Sequence, residues 1–474
     1  MVPGLELEAR RGGVEERPAA DQQQEDELER GDRDGDVGGG PPGADKGFGR
    51  AQRVVHVRSF RLRSPHSFQA PHYPCPVRVL RHPAGTFVAI RVAYLVGTAL
   101  SLLWVLPSTS VVLAHGAYDP VTDYLFGAFA QWDSDWYLDI ADDGYREESA
   151  AFFPLYPGVV RALGLVLGSH LVAGVLLSLA AAGVGAWALY AIARHAAGEA
   201  VARDSVLVLA LYPTAFVFTS AYSEGVFLAL ATTSFLAGLR GRPWLAGLLA
   251  GLAVATRLAG LALVPALVVL FWPRARGQIA QLAPVVLLPL MGLASVALVF
   301  DRALGDSLAF SHAQRFWDRA ASPLGPLGGI YEGVRETVRN VDGLGSLPGR
   351  VRAPGVPYSV TDTLELQQAQ LALFNLVDLL ALALAIALTV VAYRRLGLSF
   401  ALFSATALVI ATSAPGAAIP LQSMVRFVMV DFPVLIAGAT LLAGRPALRT
   451  GTLVTLGAVG AVAGAAFARK HWVA

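Results

Sequence analysis

Residues 243–272 read PWLAGLLAGLAVATRLAGLALVPALVVLFW, and how this stretch is divided decides the fold. Apart from Thr256 and Arg257 it is apolar throughout. A helix crosses roughly 30 Å of hydrocarbon with about 20 residues at about 1.5 Å each, so the stretch reads either as one long span or as two short ones. Arg242 and Arg274 flank it. Short cytoplasmic loops are enriched in Arg and Lys, and a single crossing would put these two arginines on opposite faces of the membrane. Two segments, 243–256 and 258–272, keep them on one face. Their junction at Thr256-Arg257 then sits at the other boundary, where a permanent charge is costly unless it meets a cavity or a partner.

Working outward, apolar runs recur at 92–113, 169–193, 205–220, 223–239, 280–300, 372–393, 398–413, 428–443 and 450–468, with 157–168 as a re-entrant piece or the start of a longer helix. Every second loop between them is basic: Arg78, Arg81 and Arg91 precede the first run, and Arg194 with Arg203, Arg240 with Arg242, Arg274 with Arg276, Arg394 with Arg395, and Arg445 with Arg449 follow. The alternation puts the long segments 114–157 and 301–371 on the external side. Arg469 and Lys470 are its one poor fit. The predicted fold is all-α and polytopic, with about eleven transmembrane helices and two large external loops.

Composition agrees with that reading. Of 474 residues 55% are hydrophobic and only 15% charged, and mean hydropathy is +0.53, which excludes an ordinary soluble enzyme. A formal charge of +2 gives no reason to expect a nucleic-acid partner. Cys75 is the single cysteine, which excludes an internal disulfide and a cysteine-rich metal centre. Lys46 and Lys470 are the only lysines, so nearly every cation is an arginine and stays protonated. The polar, low-complexity start marks residues 1–75 as a disordered and juxtamembrane tail, leaving 76–474 as the membrane domain.

The first external loop contains QWDSDWYLDIADDGYREESAAFFPLYP at 131–157. If 132–143 is helical, Asp135, Asp139, Asp142 and Asp143 form one acidic stripe, best read as a solvated face, whereas Asp133 shares its stripe with Trp136, Tyr137, Ile140 and Ala141. A half-desolvated carboxylate on an apolar stripe is a better proton acceptor near neutral pH, which makes Asp133 the base candidate. Its plainer role is to cap the helix. Asp133-Ser134-Asp135 also matches the D-x-D spacing of divalent-metal sites, a three-residue match that chance supplies often, so a metal is allowed but not favoured.

Trp132-Asp133-Ser134, Ile140-Ala141, Gly144-Tyr145 and Ala151-Phe152-Phe153-Pro154-Leu155-Tyr156-Pro157 resemble the first luminal loop of the PIG-V, or GPI mannosyltransferase 2, family and its bacterial relatives. Later segments are similar too: Tyr212-Pro213, Ser220-Ala221-Tyr222-Ser223-Glu224, Ala255-Thr256-Arg257 with Gly260, Ala313-Gln314 with Trp317, Arg319 and Pro323, and Arg426-Phe427 with Phe432-Pro433. The resemblance runs over most of 85–445. Asp139 stands where the family commonly has His, and Leu258-Ala259 follow Arg257 where it commonly has Ser-Asn. The resemblance implies a GT-C glycosyltransferase, a polytopic enzyme that takes mannose from a polyprenyl-phosphate carrier on the non-cytoplasmic side. It implies Asp133 as the catalytic base and aligns Arg257 with the family's ATR arginine.

Such a donor carries its own activated leaving group, so no nucleotide-binding Gly-rich loop is needed, and none stands in a strand-turn-helix context. A base and an anion clamp are needed. Asp133 would deprotonate the acceptor hydroxyl in a direct inverting displacement, and Arg257 or Arg426 would bind the donor phosphate bidentately. The plainer reading of Arg257 is a structural partner of Glu224. The substrate-binding candidates are Trp132, Asp135, Tyr156, Tyr222, Glu224, Gln314, Trp317 and Arg319; interfacial anchoring alone would account for Tyr222 and the tryptophans. Within 301–371, Ser307–Arg319 and Ile330–Arg339 read as amphipathic surface helices, and Gly343–Pro357 as a mobile cover that excludes water. No cofactor beyond polyprenyl-phosphate-mannose is expected. The partners are that donor, an unidentified glycan, lipid or protein acceptor, and the bilayer. Short loops and the Arg-rich style point to a bacterial plasma membrane with the site on its outer face. A transporter or flippase for a lipid-linked or anionic substrate is the rival, because it too uses intramembrane arginines and broken helices; a ligase moving a preassembled glycan is the next.

Overall fold

The computed structural model describes residues 82–104, 126–273, 279–344 and 360–468, with no side chain described at 99, 101–104, 343–344 and 360–367. The tail at 1–75, residues 114–125 of the first loop, and 345–357 of the predicted cover lie outside the described residues. Helix dominates, and among the described residues the only strand-like pairing is an isolated antiparallel bridge between Arg319 and Gly416.

In chain order the helices are α1 (Pro83–Trp104), α2 (Asp133–Asp143), α3 (Leu155–Leu167), α4 (His170–Ala197), α5 (Glu199–Leu211), α6 (Glu224–Leu239), α7 (Pro243–Thr256), α8 (Leu263–Phe271), α9 (Ala283–Leu304), α10 (Pro326–Leu344), α11 (Val360–Arg395), α12 (Leu398–Thr412), α13 (Met424–Met429), α14 (Phe432–Leu442) and α15 (Pro446–Ala468). Among the described residues four helical stretches, His170–Ala197, Ile279–Leu304, Gln368–Arg395 and Pro446–Ala468, are long and apolar enough to cross a membrane, and seven shorter apolar helices accompany them. A chain so built is a multi-pass membrane protein.

The 243–272 stretch is two segments, as the arginine parity requires. α7 ends at Thr256, and Arg257 drops out of helical geometry (φ −157°, ψ 142°) before the short 3-10 turn Leu258–Ala262 and α8. Elsewhere the boundaries move for local reasons. The predicted run 205–220 is not one helix: α5 stops at Leu211, Tyr212 turns extended ahead of Pro213, as a residue before proline must, and Ala215–Thr219 forms a 3-10 turn. The 157–168 piece is a separate helix, closed by left-handed Gly168 and followed by Ser169, whose hydroxyl caps α4 by accepting from the Val172 amide (3.3 Å). The 428–443 run is broken at Val430-Asp431 between α13 and α14. In the second loop, Ser307–Arg319 is a single α turn (Ala309–His312) and a 3-10 turn (Ala313–Trp317), while α10 is longer than predicted and α11 begins at Val360, inside the predicted loop.

The main apolar core gathers buried faces of α4 to α8 with α11, α12 and α14. Small residues let helices approach closely where lipid supplies no hydrophobic drive between them. On α7 and α9 this is extreme. A Cβ at Gly247, Gly251 or Gly292 would run into the backbone carbonyls of Pro284, Leu288 and Gly251 respectively, so the two helices touch backbone to backbone.

Candidate active site

The loop ahead of α2 is tied down from within: Gln131 Nε2 donates to Gly127 O (3.0 Å) and Ser134 Oγ to Phe129 O (3.1 Å). Trp132 then takes a positive φ of 56°, rare for a bulky side chain, and the turn makes Asp133 the first residue of α2. Ser134, Tyr137, Leu138, Ile140 and Ala141 are buried, whereas Asp142 and Asp143 are exposed and Asp135 and Asp139 half-buried, close to the predicted division of faces. Asp133 is not the cap, and its setting differs from the desolvated apolar stripe inferred from the sequence. Its Oδ2 accepts from Arg426 Nη1 at 2.5 Å, with both side chains mostly buried. A buried carboxylate is tolerated when a cation answers it, and this pair comes from elements 293 residues apart.

Arg426 is one member of a chain of alternating charge. Glu224, the first residue of α6, is completely buried; its Oε1 accepts from Arg257 Nη1 (2.8 Å) and lies 3.3 Å from Arg426 Nε. Arg257 also donates to Ser223 Oγ (3.1 Å), and that hydroxyl is 2.7 Å from the Tyr137 hydroxyl. Aromatic faces complete the setting: Arg257 stands over the Phe427 ring (5.4 Å) and Arg426 over Tyr222 (5.5 Å). The order along the chain is Arg257, Glu224, Arg426, Asp133. Breaking such a buried pair typically costs about 3–5 kcal/mol.

A third guanidinium differs. Arg319 donates through Nη2 to the backbone oxygen of Gln422 (3.2 Å) and has no carboxylate within ion-pair distance among the described residues. Burial, and then the nearby Arg426 guanidinium, hold its pKa below the usual arginine value. It is carried by the 318–322 segment, which runs alongside the turn after α12: Ala417 N donates to Asp318 O (3.0 Å), Ala320 N to Pro415 O (3.3 Å) and Ser322 N to Ser413 O (3.1 Å).

These groups line a cavity of about 510 Å³. One wall carries Asp133, Arg257, Arg319, Arg426, Gln314 and Trp317; another is the apolar face of α12, with Phe403, Ala407, Leu408, Ile410 and Ala411. Between them Phe152 and Trp317 meet edge to face at 5.6 Å, with Trp136 packed against both. Among the described residues no three His, Cys, Asp or Glu side chains gather as a metal site would need.

Of the sequence candidates, Asp133, Arg257, Arg426, Gln314, Trp317 and Arg319 share this cavity. Glu224 and Tyr222 lie behind it, holding the arginines. Tyr156 is core, its hydroxyl donating to Gly174 O (3.1 Å) beside Ser178 Oγ (2.8 Å). Trp132 and Asp135 do not line the cavity, and Trp132 is exposed. His312 pairs with Asp306 on the surface. Sequence reasoning passed over Asp431, a cavity-lining acid that caps α14 and accepts from Ser404 Oγ (2.6 Å), its Oδ2 having no hydrogen-bond partner among the described residues. Its signal was a lone acid between Arg426-Phe427 and Phe432-Pro433.

No curated protein and no solved structure matches the chain. Residues 97–288, which include Asp133, Glu224 and Arg257, match the family model for Mannosyltransferase (PIG-V). Through that stretch the chain is similar to the PIG-V mannosyltransferases, and the match supports a membrane glycosyltransferase.

Proposed function

We propose that the protein transfers mannose from a polyprenyl-phosphate-mannose donor to an acceptor hydroxyl, with inversion, on the outer face of a bacterial plasma membrane, using Asp133 as general base. One observation carries this reading: the Asp133–Arg426 pair lines a cavity whose lining also includes an apolar stretch of α12. A lipid-linked anionic sugar needs both kinds of wall.

The pairing suggests how charge is managed. The acceptor hydroxyl gives its proton to Asp133 as its oxygen bonds to the anomeric carbon. The bond from that carbon to the phosphate oxygen breaks, and its electrons stay on the phosphate, which changes from a singly charged diester to a doubly charged monoester. Protonation neutralises Asp133 and frees the Arg426 guanidinium as the leaving group gains its second charge. Donors aimed at charge that develops in the transition state are usually the largest catalytic contribution. Arg257, linked to Arg426 through Glu224 and lining the same cavity, supports the same anion. The aromatic cluster of Trp136, Phe152 and Trp317 offers a face for the sugar.

Membranes carrying the protein, incubated with radiolabelled polyprenyl-phosphate-mannose, should yield a labelled product, and Asp133→Asn should lower the rate by about 10²- to 10⁴-fold, the usual worth of a positioned base. Asn keeps the shape and a hydrogen bond to Arg426, so a rate near wild type would remove Asp133 as the base. Transfer should persist within about twofold in EDTA, because the displacement as drawn routes no charge through a metal.

A further inference from the structure

The three cavity arginines are not equivalent. Arg257 and Arg426 are each answered by a carboxylate, Glu224 and Asp133, so their charge is compensated before any ligand enters. Arg319 is half-buried, lines the same cavity, and among the described residues its side chain donates only to a neutral backbone carbonyl. Two acids act on it from beyond ion-pair distance, Asp133 and Asp378 of α11, and Asp378 accepts from the backbone N–H of Val425 (3.3 Å). A guanidinium partly withdrawn from water with no carboxylate beside it is favoured by an anion that completes it. Its backbone is also fixed in advance, by the ladder between 318–322 and 413–417 and by Arg319 N donating to Gln314 O (3.0 Å). The cavity therefore holds one guanidinium that meets no carboxylate within ion-pair distance among the described residues, and that guanidinium stands on a rigid mount.

We infer that Arg319 is the resting-state contact for the single negative charge of a lipid phosphate, and that Arg426 takes up the second charge only when Asp133 is protonated. This rests on the reading of the cavity as a lipid-phosphate site. The two roles are separable in kinetics. Loss of Arg319 removes binding and raises KM for the donor, whereas loss of charge transfer between Asp133 and Arg426 lowers kcat. Glu224 and Asp133 engage the other two arginines and leave 319 to the ligand, so a charge-conserving lysine there should keep most of the affinity but lose the fork geometry of the guanidinium.

The test is a binding titration on the purified, detergent-solubilised full chain with two probes of equal chain length, farnesyl phosphate and uncharged farnesol. Wild type should bind the phosphate at least tenfold more tightly than the alcohol. Arg319→Gln should abolish that preference and Arg319→Lys should keep more than half of it in logarithmic terms, while Asp133→Asn should leave it in place. Thermal unfolding of each variant, followed by intrinsic tryptophan fluorescence, identifies any that has lost its fold; if Arg319→Gln does so, the folded Arg319→Lys variant decides, and phosphate affinity equal to wild type there overturns the assignment. A folded Arg319→Gln protein that still prefers the phosphate tenfold also overturns it and leaves the proposed function standing. If wild type binds the two probes equally, the lipid-phosphate reading itself fails.

Discussion

The two walls of the cavity are built by opposite means. The charged wall is assembled where helices stop or break: Asp133 follows a residue with positive φ, Arg257 sits in the extended link after α7, Arg319 lies in a non-helical strap, and Arg426 belongs to a six-residue helix preceded by left-handed Ser423. The apolar wall is one face of the continuous helix α12. The difference teaches that charge in a membrane protein is placed at chain ends and interruptions, where backbone groups and neighbouring side chains can solvate it, whereas a surface for hydrocarbon needs only regular helix.

Perturbing each wall separately should break the contrast in graded ways. Arg426→Ala strands both Asp133 and Glu224 without their shared cation and should destabilise the fold by about 3–5 kcal/mol, measured as denaturant unfolding in detergent, with mannosyl transfer lost alongside. A stability within about 1 kcal/mol of wild type would mean the charged wall is not held by this pair. On the other wall, Ala407→Trp should fill space meant for hydrocarbon. Transfer from a long polyprenyl-phosphate donor should fall about tenfold relative to a short-chain donor, with the charged wall intact, and equal losses for both donors would show that the prenyl chain lies elsewhere. The smallest effect is expected behind the walls: Tyr156→Phe removes the hydroxyl that meets Gly174 and Ser178 and should lower stability by about 0.5–1.5 kcal/mol while transfer is unchanged. A clear loss of rate in this variant would return Tyr156 to the substrate site.

Much of this arrangement was legible in the amino-acid order, and what was missed has identifiable causes. The break at Arg257 followed from arginine parity alone, because topology constrains charge on alternate loops. The helix from Asp133 and its buried and exposed faces followed from periodicity. What periodicity could not supply was the partner. Asp133 looks half-desolvated on its own helix because Arg426 is 293 positions away, and only the folded chain joins them. Tyr156 sits in a loop motif beside chemistry-bearing residues, yet a neighbouring helix takes its hydroxyl inward. Asp431 was overlooked because one acid in an apolar run looks like a boundary, and it does serve as a cap.

The glycine seam between α7 and α9 also bears on how a bulky lipid gets in and out. Backbones pressed together at Gly247, Gly251 and Gly292 leave no room for a side chain between them, so the two helices form one closed plate with no portal along that seam. Arg257 hangs from one edge of that plate, and the chain leaving its other edge leads to the strap of Arg319. That strap is itself laddered to 413–417, so the mount of Arg319 and the turn after α12 would have to shift together in any breathing that admits a lipid.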